Sequence, residues 1–190
     1  GHDFPIFDAA ELVVGICAKG IADDYSNKDM KKLTEWMQRP QIGAKGLIYV
    51  KLMADGIIKS TVGKYYTDDQ LRIWADKMGA EPGDVMFIVS GEAEKVRKQL
   101  NELRLEMGSR LGLMKDGDFK PLWVIDFPLL EWDEDSERFH AMHHPFTSPK
   151  QEELNKMLTG DHETMKALRA DAYDLVINGS EIGGGSIRIH

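Results

Sequence analysis

Tyr173-Asp174-Leu175-Val176-Ile177-Asn178-Gly179-Ser180-Glu181-Ile182-Gly183-Gly184-Gly185-Ser186-Ile187-Arg188-Ile189 is the stretch on which the reading of this chain turns. Asn-Gly between two strand-like runs is the strongest short-range hairpin signal, because both central residues of the tight turn need positive φ. A two-residue loop pairs Ile177 with Ser180, Val176 with Glu181 and Asp174 with Gly183. Side chains alternate along a strand, so Asp174 and Glu181 fall diagonally on one face. Such a carboxylate pair suits a hard divalent cation whose octahedron is completed by phosphate oxygens and water. The same counting puts Gly183 and Gly185 on that face, with backbone bare enough for a flat ligand to approach. Arg188 lies seven residues beyond Glu181, on the opposite face of an unbroken strand. Its use on the same side requires a bulge or strong twist within Gly183-Gly184-Gly185, where it would offer a bidentate fork to a carboxylate.

The same residues also fit a plainer reading. A glycine-rich strand can be a crowded packing site, and an Asp/Glu pair on a sheet can simply be solvated. His143-His144 sits on an expected strand, where neighbours point opposite ways, so one His at most faces a site and the pair is a poor chelate. Phe146-Thr147-Ser148-Pro149-Lys150 needs only a helix cap at Ser148, with Gln151 at the matching position.

Working back from the hairpin, Leu122 to Phe127 and Arg138 to His143 read as strands joined by the acidic loop Glu131-Trp132-Asp133-Glu134-Asp135, and a further helix spans about Glu163 to Ala170. Lys115-Asp116-Gly117-Asp118 is a polar turn-forming stretch, taken as the boundary between a domain of residues 1–117 and one of residues 118–190. Before it, Leu12 to Ala18, Gly46 to Leu52, Ile57 to Ser60 and Asp84 to Ser90 read as strands, with Asp55-Gly56 signalling a hairpin. Ser26 caps a helix with Met30, Leu33, Trp36 and Met37 on its apolar side. Thr67 with Gln70 forms a capping box for a helix that Gly79 ends. Glu92 to about Leu113 is a long amphipathic helix with Val96, Leu100, Leu103, Met107 and Leu111 at helical spacing. The fold class is therefore α+β: a two-layer sandwich with helices on one side of the strands, then antiparallel strands and helices.

Composition limits function. The chain has 24 basic and 32 acidic residues, a net charge of −8, so RNA contact would need a local basic patch or other parts of a protein. Cys17 is the single cysteine, which excludes an intramolecular disulfide and a cysteine zinc site and suits a reducing cytoplasm. No run approaches the roughly 20 apolar residues of a membrane span, and Gly1-His2-Asp3-Phe4-Pro5 does not resemble a signal peptide. With no initiating Met, and a last strand still running at Ile189-His190, both ends are expected to be cut from something longer.

Phe139-His140-Ala141-Met142-His143-His144-Pro145-Phe146-Thr147-Ser148-Pro149-Lys150, Ala172 to Gly179 and Glu181 to His190 closely resemble bacterial aspartyl-tRNA synthetases, which are class II ligases. Pro121 to Pro128 is similar to that family too. Gly43-Ala44-Lys45-Gly46-Leu47 and Leu103-Arg104 through Gly112-Leu113 are more loosely similar to the GAD domain inserted in the bacterial enzymes and shared with the amidotransferase B subunit. The resemblance implies a GAD-type sandwich followed by part of a class II catalytic sheet. It implies that Asp174 and Glu181 hold ATP through Mg2+, that Glu181 and Gly183, Gly184 and Gly185 line ATP and the adenylate, and that His143, His144 and Arg188 contact L-aspartate. The substrates would be L-aspartate, ATP and tRNA(Asp), and the parent enzyme a cytoplasmic homodimer. The second class II motif, the Gly-rich third motif with its arginine and the anticodon-binding barrel are missing, so this stretch alone is expected to have no aminoacylation activity. Two other readings compete: a piece of an amidotransferase B subunit, which predicts nothing like His143-His144-Pro145 after the domain, and a stand-alone RNA- or protein-interaction module.

Overall fold

A computed structural model describes residues 4–115 and 117–189. Gly1 to Asp3, Asp116 and His190, which enter the readings of the two ends and of the boundary, lie outside them. The chain parts into two compact units between Met114 and Lys115.

The first unit is an antiparallel sheet of four strands: β1 (Leu12–Ala18), β2 (Ile48–Leu52), β3 (Ile58–Ser60) and β4 (Val85–Gly91), in the order β1-β4-β2-β3. Strand β4 is interior, pairing Val89 with Val14 and Ile88 with Ile48. Its residues Val85 to Val89 are all buried. Period-two alternation sends Val85, Phe87 and Val89 into one core with Met30, Leu33 and Met37 of α2 (Asn27–Met37) and Val96, Leu103 and Met107 of α4 (Ala93–Arg110). Met86 enters a second core with Phe4, Val50, Leu52, Tyr66 and Leu71, to which α3 (Asp68–Met78) contributes. The expectation of helices on one side is thus corrected. A strand apolar at every position has two faces to keep from water, and both are covered. A short helix, α1 (Pro5–Asp8), follows Phe4.

Local chemistry sets the helix ends. Ser26 and Asp29 form a capping box on α2, Thr67 and Gln70 one on α3, and Gly79 ends α3 at φ 60°, where a side chain would be strained. Just before β4, the buried Asp84 carboxylate accepts hydrogen bonds from the backbone N–H groups of Gly20 (2.8 Å) and Glu81 (2.8 Å) and pairs with Lys19 (2.9 Å).

In the second unit, β5 (Pro121–Ile125), β8 (Ala172–Ile177) and β9 (Ser180–Ser186) form an antiparallel sheet in the order β5-β8-β9. The hairpin β6 (Leu130–Asp133)–β7 (Arg138–Ala141) stands apart from it. Three of the five residues of the expected acidic loop are therefore strand: Glu131, Trp132 and Asp133 pair with His140, Phe139 and Arg138. Its aromatic edge explains this, since Trp132 packs edge-on to Phe139 at 5.0 Å and to His162 at 4.4 Å. His162 opens α6 (His162–Lys166), which is capped by Asp161 and is shorter than the expected helix to Ala170. Arg169 and Ala170 instead bridge antiparallel to Pro128 and Pro149, and Leu168 and Ala170 join Leu129 in a small core. The expected Ser148 cap is absent. Ser148 bridges strand-like to Ile187 through its N–H (2.8 Å), and only a short 3-10 turn, Gln151–Glu153, precedes α5 (Leu154–Thr159).

Candidate active site

The β8–β9 hairpin turns at Asn178 and Gly179, with φ values of 52° and 83°. Ile177 pairs with Ser180 and Val176 with Glu181. The register then shifts: Leu175 faces Gly183 and Asp174 faces Gly184, so the expected Asp174–Gly183 pair is corrected and Ile182 is the extra residue. The irregularity lies one step nearer the turn than the Gly183-Gly184-Gly185 run where it was expected. One inserted residue reverses the parity of everything beyond it. Asp174, Glu181 and Gly184 therefore share a face, and Gly183 and Gly185 turn to the other.

The glycines are unequal. A Cβ at Gly184 would overlap Asp174 Oδ1 outright and lie 3.0 Å from the Tyr173 carbonyl oxygen. At Gly185 it would meet the Tyr173 phenol at 2.8 Å, while at Gly183 it would meet nothing within 4 Å. Gly184 is thus the position that leaves room for the Asp174 carboxylate. Tyr173, edge-on to Trp123 at 5.9 Å, covers Gly185 from behind.

The second wall is the segment after β7. Because β7 ends at Ala141, strand alternation no longer applies at His143 and His144, and both line the same cleft, against the expectation of one. His143 packs edge-on to Phe127 at 5.1 Å, and His144 Nδ1 accepts a hydrogen bond from the Phe146 N–H at 3.2 Å. Thr147 pairs antiparallel with Arg188, through Ser148 N–H to Ile187 O (2.8 Å) and Ile189 N–H to Phe146 O (2.9 Å). These bonds flank the pair, which makes it the close, non-hydrogen-bonded type with both side chains on one face. The Arg188 guanidinium rests 4.5 Å from the Phe146 ring centroid.

An ion network anchors this wall. Arg169 gives its backbone N–H (2.6 Å) and Nε (2.7 Å) to the buried Glu153 carboxylate, and its guanidinium reaches Asp126 (3.3 Å) and Glu152 (3.4 Å). Lys150 also pairs with Asp126. Burial alone would raise the Glu153 pKa, but the Arg169 N–H and guanidinium outweigh it and hold the carboxyl below its usual range. The hydrogen bond from Lys150 does the same for Asp126. Residues 126–129, 147–153 and 168–171 are thereby tied together, with Ala170 N–H bonded to Phe127 O at 2.7 Å.

Between the walls lies an open cleft of about 370 Å³, lined among others by Phe127, His143, His144, Thr147, Asp174 and Glu181. Gly184 and Gly185 line it too, whereas Gly183 and Arg188 do not. Among the described residues no group of three or more His, Cys, Asp or Glu side chains could hold a metal unaided. The two carboxylates with the Gly184 recess fit a hard cation that takes its remaining oxygens from a bound phosphate and water. Sequence reasoning passed over Phe127, Thr147 and the Glu153–Arg169 pair. The signal for Thr147 was its place three residues after His144 in the quoted run.

No helix among the described residues is long and apolar enough to cross a membrane. Comparison with known proteins gives a consistent family. The aspartate–tRNA ligase of Flavobacterium psychrophilum is 55% identical over 188 residues, covering 99% of this chain and 31% of that protein. Those of Porphyromonas gingivalis and Parabacteroides distasonis are each 54% identical over 191 residues, covering all of this chain and 32% of theirs. The chain spans about a third of the length of these relatives. The family described as tRNA synthetases class II (D, K and N) matches residues 8–190, and the chain belongs to it.

Proposed function

We propose that this chain is part of an aspartate–tRNA ligase, whose whole protein activates L-aspartate with ATP and transfers the aspartyl group to tRNA(Asp). The observation that carries the reading is the cleft that brings Asp174, Glu181, His143 and His144 together around Gly184, in a chain more than half identical to three aspartate–tRNA ligases. Residues 118–190 would belong to the catalytic domain and residues 1–117 form the inserted GAD domain, a division supported by the parting of the units at Met114/Lys115.

In this reading an aspartate carboxylate oxygen attacks the α-phosphorus of ATP, and pyrophosphate leaves with the electrons of the broken P–O bond. The terminal ribose hydroxyl of the tRNA then displaces AMP from the aspartyl carbonyl. Asp174 and Glu181 would hold Mg2+, which when bound neutralises phosphate charge. The Gly184 and Gly185 backbone leaves room for the nucleotide beside Glu181, with Gly183 behind. His143 and His144 hydrogen-bond aspartate, and Arg188 leaves Phe146 to take a carboxylate in its fork. The work is positioning and charge stabilisation. The whole protein would act as a cytoplasmic homodimer.

The test is aspartate-dependent exchange of labelled pyrophosphate into ATP. A protein of the relatives' full length containing this sequence should catalyse it, and the 190-residue chain should not. Turnover by the 190-residue chain, or exchange driven by another amino acid in preference to aspartate, would refute the reading.

A further inference from the structure

We propose that the Thr147 hydroxyl is a binding group for the amino-acid substrate, donating a hydrogen bond to the carboxylate that Arg188 takes; this rests on the proposed function above. Thr147 is only 7% exposed, and among the described residues its Oγ is the buried side-chain polar atom that has no hydrogen-bond partner. Burying a hydroxyl without a partner costs free energy that a chain does not give up without return. Thr147 lines the cleft that holds His143, His144, Asp174 and Glu181, while its Oγ is itself shut off from solvent, so a turn about χ1 brings the hydroxyl to a ligand there that supplies the partner.

The position selects which part of the ligand. Thr147 is the close antiparallel partner of Arg188, so the two side chains rise from one face. Arg188 can only donate, and cannot be satisfied by another donor in its neighbourhood. A hydroxyl beside it gains most by donating to the acceptor that the guanidinium also seeks. A carboxylate accepts about four hydrogen bonds, enough for a guanidinium fork and one hydroxyl together. The cation-binding carboxylates Asp174 and Glu181 belong to β8 and β9, with the phosphates beside them, which leaves the Thr147–Arg188 pair to the amino acid. Phe146, under the Arg188 guanidinium at 4.5 Å, holds that head group until substrate arrives.

The test uses Thr147→Val, which keeps the shape and removes the hydroxyl, and Thr147→Ser, which keeps the hydroxyl, in a protein of the relatives' full length. Pyrophosphate exchange is measured with aspartate and ATP varied separately. Thr147→Val should raise KM for aspartate roughly 10- to 100-fold, the worth of a hydrogen bond to a charged group, and leave KM for ATP unchanged. Thr147→Ser should stay within about threefold of wild type, since the donor survives. Without ligand, Thr147→Val should melt no lower than wild type, because it removes an unsatisfied atom. An unchanged KM for aspartate in an active Thr147→Val enzyme would overturn this inference alone. Equal rises in both KM values together with a lower melting temperature would reassign Thr147 to packing. Absence of exchange by the wild type would overturn the proposed function, and this inference with it.

Discussion

Replacing Gly184 with alanine should separate the two tasks of the glycine run. The added Cβ would overlap Asp174 Oδ1 and sit 3.0 Å from the Tyr173 carbonyl oxygen, which is fixed in the β8–β9 ladder. The carboxylate can swing aside more easily than the strand can move, so the stability loss should be at the low end of the overpacking range, about 1 kcal/mol. Gly183→Ala is the matched control, because nothing lies within 4 Å of its Cβ position. Its reduced unfolded-state entropy should make it about 0.5 kcal/mol more stable, since Gly183 does not adopt the positive φ that strains alanine. Hydrogen exchange of the β8 and β9 amides reads the stability difference directly. The functional consequence should be larger, because the swung carboxylate would no longer face the proposed cation. In a full-length protein, Gly184→Ala should raise the Mg2+ concentration for half-maximal pyrophosphate exchange at least tenfold, a change of about 1.4 kcal/mol. Gly183→Ala should change it less than about twofold, given that no neighbour is displaced. Equal Mg2+ dependence in the two variants would refute the assignment of Gly184 as the recess for Asp174.

Other perturbations follow from the same geometry. Burial would raise the Asp84 carboxyl, but the Glu81 N–H, the Lys19 ammonium and the Gly20 N–H together hold it below its usual value, and Glu153 is lowered as well. Both groups therefore add stability above their unfolded values of about 4, and that stability is lost as pH falls through the lower folded values; thermal melts from pH 7 to pH 2 should show it, and flat melting temperatures below pH 4 would contradict it. The Cys17 thiol is pushed up to about 11, first by burial and then by Asp84. At pH 8 about 0.1% of it is thiolate, so alkylation by iodoacetamide should be far slower than for free cysteine, and a rate equal to free cysteine would refute that environment. Gly15→Ala should cost the first unit about 1–3 kcal/mol, read by urea unfolding, because its Cβ would strike the Phe87 carbonyl oxygen and approach Met78 Cε to 3.1 Å.

What could be read from residues alone was what depends on near neighbours. The Asn178-Gly179 turn, the helix cap at Ser26, the capping box at Thr67 and the left-handed end at Gly79 are decided within a few residues, and they form as expected, with Asp29 completing a box at Ser26 as well. The position of the bulge is different. Nothing in Glu181-Ile182-Gly183-Gly184-Gly185 states which residue is extra, because that is settled by how β8 fits against β9 and by the space Asp174 takes. The second helical layer was signalled by the unbroken apolar run Val85 to Val89, which only an interior strand covered on both faces can carry. Ser148 turned on a partner far away in sequence, Ile187, which keeps it extended, whereas the His143-His144 pair turned on where β7 stops, at Ala141, which lets both histidines line the cleft. The Glu153–Arg169 anchor and the orphan Thr147 hydroxyl were illegible for the same reason, since each is defined by burial that the whole second unit creates.

The central claim is that Asp174 and Glu181 form the paired carboxylates of an aspartate-activating site. Its most direct test is aspartate-dependent pyrophosphate exchange by a full-length protein containing this sequence, with Asp174→Asn and Glu181→Gln made separately. The account predicts exchange by the wild type that requires L-aspartate and Mg2+, falling roughly 100-fold or more in either variant as removal of a charged ligand to the transition state should cause. Exchange that either variant retains at the wild-type rate would contradict it, as would a wild type that shows no aspartate-dependent exchange.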